Sequence, residues 1–420
     1  MRLLAICWAS LVAATSFAGP LPVIAPERAG FSKEGLSRID KFFEREIAAN
    51  RVPGAVVAIA RDGKLVYYKA HGFLNRASNE PMVLDAIFNL ASMTKVMACV
   101  AGLVLNEEGR LPLKSRLDSY FPSFAKMTVW TSLGSEAKNE VANPIYIHDL
   151  FRHTSGIPYG GRGNTPVHKL YPSTSSAAAA QYSGEEFIAK LSSAPLLYQP
   201  GTVWEYGFST DVLGLVIEKV TGRRLNDYLR AAVWDKVRMP DTSFEVPPQN
   251  RKRLARPLPK DPIDGKDQKI AILDDRVKFD CAGSCAFGTV GDYLRFGQML
   301  LDGGMIDGRR VLSPKTVAWM TSDHLGDRIK NQVSGIEPHR EGYGFGLGVA
   351  VRLQEGVAAI PGSRGDYTWN GANGTAFWAD PVERLVVVYG TVAPGEIRKY
   401  YREQVGALVY GAMTKLRQPR

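Results

Sequence analysis

The sequence predicts an α/β (α+β) fold in which an antiparallel sheet is flanked by helices and interrupted by an inserted, mostly helical domain. Runs rich in β-forming residues lie near both ends of the chain, at 54–72, 343–353 and 375–392. These runs are joined as hairpins rather than as repeated βαβ units, which indicates antiparallel pairing. Helices and loops dominate between Gly109 and about residue 245. We therefore expect a sheet domain built from 19–90 and 246–420, and a helical domain at 91–245.

The elements near the amino terminus follow from local signals. A helix is predicted to start at Ser32, because apolar residues at 36, 39, 43 and 47 then share one face. Asp62-Gly63 separates two β-rich runs and is a strong hairpin signal. An apolar helix follows Ser92 and ends near Gly109.

Further helices are predicted in the middle and at the end of the chain. Ser183 and Glu186 have the spacing of a capping box, which predicts a helix start. The segment 159–176 is rich in Gly, Pro and Ser and is predicted to be a long surface loop. The other predicted helices run from a Ser209 cap to Gly222, over 290–304, after Ser313-Pro314, and over 396–416.

Composition and charge exclude several classes of function. The 420 residues are 45% hydrophobic and 22% charged, which is ordinary for a globular protein. The formal charge is +10, but the basic residues are scattered, and neither an aromatic–basic RNA motif nor a zinc-finger spacing occurs. We therefore expect no nucleic-acid partner. The six histidines form no HExxH or similar pattern, so we predict neither a metal nor another cofactor.

Residues 1–18 are typical of a secretory signal peptide. Arg2 precedes an apolar run that ends in small residues, with a cleavage site after Ala18. A transmembrane anchor is the alternative, but the run is short for a bilayer and is broken at once by Gly19-Pro20. We expect a periplasmic or secreted protein with no membrane span, and the sequence leaves its oligomeric state open.

The cysteines fit an exported chain. Cys281 and Cys285 are close enough in sequence for a small disulfide in an oxidising compartment, although spacing alone does not decide it. Cys99 lies on the apolar helix, where we expect it in the core.

A Ser-x-x-Lys pattern at the start of the apolar helix is the first candidate for a catalytic site. The pattern occurs three times, as Ser92/Lys95, Ser123/Lys126 and Ser135/Lys138. The last two lie in polar connecting sequence, where we expect no catalytic role. On a helix the spacing places Ser92 and Lys95 on one face, and a desolvated lysine can act as a base towards the serine. The helix amino terminus adds a potential that favours an oxyanion.

Three later segments occur in a characteristic order. They are "HDLFRHTSGI" at 148–157, "QPGTVWEYGFSTDVLG" around Tyr206, and "GDYTWNGANGTAFWADP" around Trp369-Asn370-Gly371. Together with Ser92 and Lys95, they resemble the serine β-lactamase and penicillin-recognising family. The resemblance is closest to its class C branch and the related family VIII carboxylesterases, and it covers nearly all of 25–415.

The resemblance implies a role for each matching residue. Ser92 would be the acylated nucleophile, and Lys95 and Tyr206 would share the handling of its proton, with the identity of the base left open. The backbone N–H groups of Ser92 and Ala372 would form the oxyanion hole. His153 matches a family motif that we interpret as structural. The implied fold is that of β-lactamases and DD-peptidases.

Two departures from the family pattern bear on the substrate. The usual Tyr-x-Asn is Tyr206-Gly207-Phe208 here, and Trp369 replaces the lysine of the Lys-Thr-Gly motif. Both changes remove polar anchors and predict an apolar, aromatic rim. We therefore predict substrate contacts from Trp369, Asn370, Gly371 and Phe208. A packing role in the core is the alternative for Trp369.

These residues favour a serine carboxylesterase that hydrolyses small, short-acyl esters. A β-lactamase or D-alanyl-D-alanine peptidase is the alternative, and it needs another cation such as Arg364 to hold the substrate's anionic group. Acyl transfer is a closely related reaction, in which an alcohol replaces water. The non-enzymatic alternative is a penicillin-sensor-like binding domain that becomes acylated. An ordinary α/β-hydrolase is disfavoured because no Gly-x-Ser-x-Gly occurs.

Overall fold

The architecture comes from a computed structural model that describes residues 20–133, 136–270 and 277–417. The predicted signal segment 1–18 and Ser135 lie outside the described residues. None of the helices in these ranges is long and apolar enough to cross a membrane.

The central element is an antiparallel sheet built from both ends of the chain. Its strand order is β10-β11-β12-β13-β14-β1-β2-β3. The amino-terminal β1 pairs with β14 from Ala55 opposite Thr391 to Arg61 opposite Leu385. The strands of this sheet are β1 (Gly54–Arg61), β2 (Lys64–Asn75), β3 (Glu80–Pro81), β10 (Tyr343–Phe345), β11 (Ala350–Arg352), β12 (Tyr367–Asn370), β13 (Ala376–Asp380) and β14 (Leu385–Thr391).

Short two-stranded pairs complete the strands. β4 pairs with β7, and β4 ends shortly before Ser92 in the chain. The remaining pairs are two hairpins. The strands are β4 (Ile87–Asn89), β5 (Thr128–Leu133), β6 (Glu136–Val141), β7 (Phe287–Thr289), β8 (Met305–Ile306) and β9 (Arg309–Arg310).

Helices cover both faces of the sheet. α1 and α11 pack on one face around a core that includes Phe43, Val57, Val387 and Tyr401. α9 packs on the opposite face against β1, β13 and β14. The α-helices are α1 (Lys33–Ala48), α2 (Thr94–Glu107), α3 (Ile147–Phe151), α4 (Ser175–Gln181), α5 (Gly184–Ser192), α6 (Ser209–Thr221), α7 (Leu225–Leu229), α8 (Asp235–Val237), α9 (Val290–Leu301), α10 (Pro314–Met320) and α11 (Ile397–Gly411).

Helix α2 is the centre of the helical part. It is apolar on every side, and all its residues from Thr94 to Leu105 are buried. A helix with no polar face has to be covered on all sides, and α6 and α7 are among the elements packed against it. The start of α2, and with it Lys95, is therefore held inside the protein.

Several sequence predictions are confirmed. The fold class is that predicted, and Ser32 caps α1 by accepting from Gly35 N at 2.8 Å. The Asp62-Gly63 turn joins β1 to β2, with both residues at positive φ. Ser183 and Glu186 form the predicted capping box of α5. The boundaries of the two proposed domains stay a prediction.

Other predictions need correction. The segment around the second and third Ser-x-x-Lys patterns contains the β5–β6 hairpin, with Lys138 on β6, where we expected polar connecting sequence. The 159–176 segment is not wholly a surface loop, because Tyr159, Tyr171 and Ser175 are buried. Ser209 is the first residue of α6 rather than its cap. Its hydroxyl is hydrogen-bonded to Ser155 Oγ at 2.8 Å.

The cysteine predictions are resolved by the structure. Cys281 and Cys285 form a disulfide across Cα atoms 5.2 Å apart. Cys99 is free and buried on α2.

Candidate active site

Ser92 lies in a strained turn between β4 and α2. The turn from Leu90 to Met93, which we call the serine turn, places Ala91 at a φ of 45°, a conformation that non-glycine residues rarely adopt. Asn89 Oδ1 accepts a hydrogen bond from Ala91 N at 3.0 Å, and Thr94 Oγ1 donates to Ala91 O at 2.6 Å. These bonds hold the turn so that Ser92 is partly exposed while its neighbours are buried.

Lys95 lies beneath the serine turn and is 1% exposed. Its Nζ donates to Tyr159 Oη at 3.0 Å and to the Gly283 carbonyl at 2.5 Å. The same nitrogen lies 4.7 Å from the centroid of the Tyr206 ring. Burial favours the neutral amine, but Tyr159, Tyr206 and Asp211 outweigh it and raise the pKa of Lys95. Lys95 is therefore an ammonium group at neutral pH.

Tyr206 lies beside Lys95 and belongs to the loop before α6. Its hydroxyl accepts a hydrogen bond from Trp369 Nε1 at 3.3 Å. The Tyr206 and Trp369 rings lie 5.2 Å apart, and Trp204 stacks on Tyr206 at 6.0 Å with an angle of 15° between the planes. This aromatic cluster fixes the orientation of the Tyr206 phenol.

His153 lies in the same cluster. Its ring is 5.0 Å from that of Tyr206 and is completely buried. Burial lowers the pKa of His153 well below its ordinary value, so the ring is neutral. Its Nε2 is hydrogen-bonded to Thr210 Oγ1 at 3.3 Å, and these buried contacts are in line with the structural interpretation.

Gly371 lets β12 come close to the serine turn. A Cβ on Gly371 would lie 2.1 Å from Thr375 Oγ1 and 2.5 Å from the Leu90 carbonyl oxygen. The close approach carries Ala372 to the wall of the cleft beside Ser92. Within the described chain, the Ala372 N–H has no hydrogen-bond acceptor, so it remains available to an oxyanion.

A cleft of about 190 Å³ opens at these residues. Of the predicted site residues, Ser92, Tyr206, Trp369, Asn370 and Ala372 line it. Trp369 is 2% exposed, so it forms an inner wall rather than a rim. The structure brings these residues together, and their roles in a reaction stay predictions.

Phe208 is a correction. It is fully buried and packs against Tyr159 and Phe187, with ring centroids 4.5 Å and 5.2 Å away. It therefore lies behind Tyr206 and does not line the cleft. Gly371, likewise predicted to contact substrate, acts in the structure through the backbone approach described above.

The expected apolar rim is also corrected, because basic side chains surround the cleft. Arg402 pairs with Glu337, and Arg398 and Lys399 pair with Glu396 at 3.1 and 2.6 Å. Despite burial, Arg402 and Arg340 hold the pKa of Glu337 down at about 2. The cleft is lined by five basic residues, Arg162, Arg340, Arg398, Lys399 and Arg402, against the two carboxylates Glu337 and Glu396.

In the part of the chain that the structure describes, two of these cations form no salt bridge to either carboxylate. Arg162 is exposed, and among the described residues it has neither an ion pair nor a hydrogen bond of its side chain; its guanidinium lies 5.5 Å from the Tyr206 ring centroid. Arg340 is buried 4.6 Å from the Trp369 ring. With its amide oriented to suit its neighbours, Asn370 accepts from Arg340 at 2.6 Å. Arg364, by contrast, is exposed and does not line the cleft.

Sequence reasoning missed several of these residues. Tyr159 was hidden in a segment of loop composition, and the arginines come from segments far apart in the chain. Asp211 offered a usable signal, because it is the charged residue of the run STDVLGLVI and lies five positions after Tyr206.

A metal site finds no support in the described ranges. No group of His, Cys, Asp and Glu there is arranged to hold a metal ion.

Comparisons with known proteins show the family of this chain. The family model described as Beta-lactamase matches residues 39–405. The chain belongs to the β-lactamase family. Esterase EstB of Burkholderia gladioli is 28% identical over 378 residues, covering 84% of this chain and 89% of that protein. Lovastatin esterase of Penicillium rubens is 30% identical over 379 residues, covering 83% and 90%.

A solved structure extends the similarity to three dimensions. EstCE1, described as a hydrolase with promiscuous acyltransferase activity, superposes with a TM-score of 0.75 at 26% identity, covering 90% of this chain and 99% of that one. Family and esterase relatives together identify this β-lactamase-family protein as a serine hydrolase.

Proposed function

We propose that this protein is a carboxylesterase that hydrolyses small, short-acyl esters through a covalent acyl-enzyme on Ser92. The observation that carries the proposal is the arrangement at the cleft. Ser92 is partly exposed there, and Tyr206 and the Ala372 N–H line the same space. The names of the esterase relatives support an ester substrate.

In the first half of the reaction, Ser92 Oγ attacks the ester carbonyl and its proton passes to the ionised Tyr206 oxygen. The resulting oxyanion accepts hydrogen bonds from Ser92 N–H and Ala372 N–H. Collapse breaks the bond to the alcohol oxygen, which takes the proton from Tyr206 and leaves. Water then attacks the acyl-enzyme by the same route in reverse, releasing the acid and Ser92.

The charge state of Lys95 supports Tyr206 as the base. An ammonium group has no lone pair with which to take the serine proton. Placed 4.7 Å from the Tyr206 ring, it instead stabilises negative charge on the phenol oxygen.

Two further reactions fit the same site. Acyl transfer requires only that an alcohol replace water in the second half, and EstCE1 carries that activity in its description. The basic residues around the cleft favour hydrolysis of a β-lactam or D-alanyl peptide as a second candidate, because they could hold the substrate's carboxylate in place of the missing lysine.

The test compares turnover of p-nitrophenyl butyrate with that of a chromogenic cephalosporin. We expect the ester to have the far higher kcat/KM, and Ser92→Ala to abolish its turnover. Ser123→Ala, in the second Ser-x-x-Lys pattern, is the matched control and should leave turnover intact. Equal kcat/KM for the two substrates would overturn the substrate preference, and activity in Ser92→Ala would overturn the mechanism.

We also propose export, on the pattern of residues 1–18. Amino-terminal sequencing of the protein expressed in a bacterial host should find Gly19 as the first residue of the periplasmic or secreted form. An intact Met1 would contradict this.

A further inference from the structure

A chain of buried hydrogen bonds leads from Lys95 away from the cleft. Lys95 Nζ donates to Tyr159 Oη at 3.0 Å, and Tyr159 Oη is 2.7 Å from Ser175 Oγ. Ser175 Oγ donates to Asp211 Oδ2 at 2.7 Å. The other oxygen, Asp211 Oδ1, accepts from Gly283 N at 2.9 Å. The hydrogen bonds form a closed ring, because the Gly283 carbonyl accepts from Lys95.

The direction of each bond follows from the proton inventory. Ser175 has one hydroxyl proton, which it gives to Asp211, so it must accept from Tyr159. Burial raises the pKa of Tyr159, which therefore keeps its proton to donate. Every donor in the chain points from the lysine towards the carboxylate. Hydrogen bonds aligned in this way polarise one another.

The two ends of the chain carry opposite charges, and both are buried. Lys95 and Asp211 are each 1% exposed, and an unpaired buried charge costs several kcal/mol. Burial raises the pKa of Asp211, whereas Lys95, the Ser175 hydroxyl and the Gly283 N–H favour its ionised form. Donors on both oxygens of Asp211 are the arrangement that a carboxylate needs.

We propose that Asp211 is a positioning residue of this enzyme, which acts through Ser175 and Tyr159 to hold Lys95 charged and correctly oriented beside Tyr206. Asp211 does not line the cleft and would never touch the substrate. The inference rests on the proposed function, because it assigns Lys95 the role of the fixed cation in that mechanism.

Apart from the negative charge that the proposed mechanism places on Tyr206, the other titratable groups around Lys95 do not supply this charge. Tyr159 and Tyr206 face it from loops, His153 lies behind Tyr206, and Cys99 follows one turn later on α2. Burial keeps His153 and Cys99 neutral, by lowering the pKa of the imidazole and raising that of the thiol. Asp211 is thus the carboxylate that offsets the ammonium charge through the buried chain.

Asp211→Asn removes the charge while keeping the shape. Because the Gly283 N–H requires an oxygen opposite it, the new amide group must face Ser175 and donate to it. The bond to Ser175 is then reversed and the alignment towards the carboxylate is lost. We expect kcat on p-nitrophenyl butyrate to fall about tenfold or more. Deprotonation of Lys95 should abolish activity at high pH, and we expect this loss to occur at least about one pH unit lower in Asp211→Asn than in wild type.

Ser175→Ala breaks the chain by removing the hydroxyl that donates to Asp211, while Asp211 and Lys95 themselves are unchanged. It should shift the loss of activity at high pH in the same direction. The double variant should be little worse than Asp211→Asn, because both changes cut one connection. Ser176→Ala is the matched control, since the next hydroxyl of α4 is hydrogen-bonded to Ser284 instead, 3.0 Å away. Asp292→Asn controls for loss of a buried carboxyl elsewhere. Both controls should leave the pH profile unchanged.

A second readout makes the test independent of any ester. The rate at which a fluorophosphonate labels Ser92 is measured across the same pH range, with folding checked by thermal melting. If wild type is labelled but turns over no ester, the proposed function fails while the labelling profile still tests Asp211. A folded Asp211→Asn protein whose profile matches wild type, or which merely loses rate at every pH, would overturn the proposal.

Discussion

The hydrogen bond from Trp369 to Tyr206 separates a chemical role for this tryptophan from a packing role. Trp369→Phe removes the indole N–H that Tyr206 accepts at 3.3 Å. It leaves an aromatic ring between Phe345, 5.2 Å away, and the Arg340 guanidinium. In the proposed mechanism the Tyr206 oxygen carries negative charge, so we expect it to lose its fixed donor while the aromatic cluster stays filled.

The expected loss follows from the geometry. A distance of 3.3 Å is at the long end for an N–H···O bond, so the lower part of the range for a charged acceptor applies, about 1.5 kcal/mol. Since about 1.4 kcal/mol changes a rate tenfold, kcat should fall about tenfold. Thermal stability should fall as well, because a smaller ring leaves a void in the core.

Trp204→Phe is the matched control. Trp204 stacks on the same Tyr206 ring and is 1% exposed, but its Nε1 has no hydrogen-bond partner in the described ranges. The substitution removes a similar volume and no bond to the phenol. Steady-state kinetics on p-nitrophenyl butyrate and melting curves are measured on both variants. If Trp369→Phe loses no more kcat than Trp204→Phe, Trp369 is a packing residue and the donor is irrelevant.

Three other outcomes can be checked with the same assays. Gly371→Ala should lower kcat about tenfold or more, because its Cβ would lie 2.5 Å from a backbone carbonyl of the serine turn. Gly406→Ala is the control, since a Cβ there meets open space, and equal kcat for the two variants would contradict the close approach. Lys95→Ala and Tyr206→Phe should each lower kcat about a thousandfold with a double variant hardly worse, whereas additive losses would show that they act separately. Burial raises the pKa of Asp292 to about 7, so the stability contributed by its protonated form is lost as the pH rises through 7. Asp292→Asn should therefore lessen the fall in unfolding free energy between about pH 5 and pH 8 by about 2 kcal/mol, and parallel plots of unfolding free energy against pH for variant and wild type would refute this.

Local chemistry made much of the fold predictable. The Ser32 cap, the Asp62-Gly63 turn and the Ser183–Glu186 capping box are each decided by neighbouring residues, and each occurs as expected. The β5–β6 hairpin was not predicted, because its second strand has the composition of polar connecting sequence.

The candidate site was predictable only where a motif is local. Ser92 and Lys95 are near neighbours on one chain segment, and the order of motifs located Tyr206 and Trp369. The charge of the cleft was not predictable, because it depends on how α11 and the loop around Arg340 pack beside Ser92. No pattern in the sequence relates those segments, and the absence of one lysine suggested an apolar site that the packing does not produce.

The acyl-enzyme is the central claim, and trapping it is the most direct test. The protein is mixed with p-nitrophenyl butyrate, quenched in acid within the burst of product release, digested and mapped by mass spectrometry. We predict a butyryl group on the peptide that contains Ser92, and none in Ser92→Ala. Acylation of a different residue would contradict the acyl-enzyme mechanism. So would a burst of product release in wild type that leaves no acylated peptide.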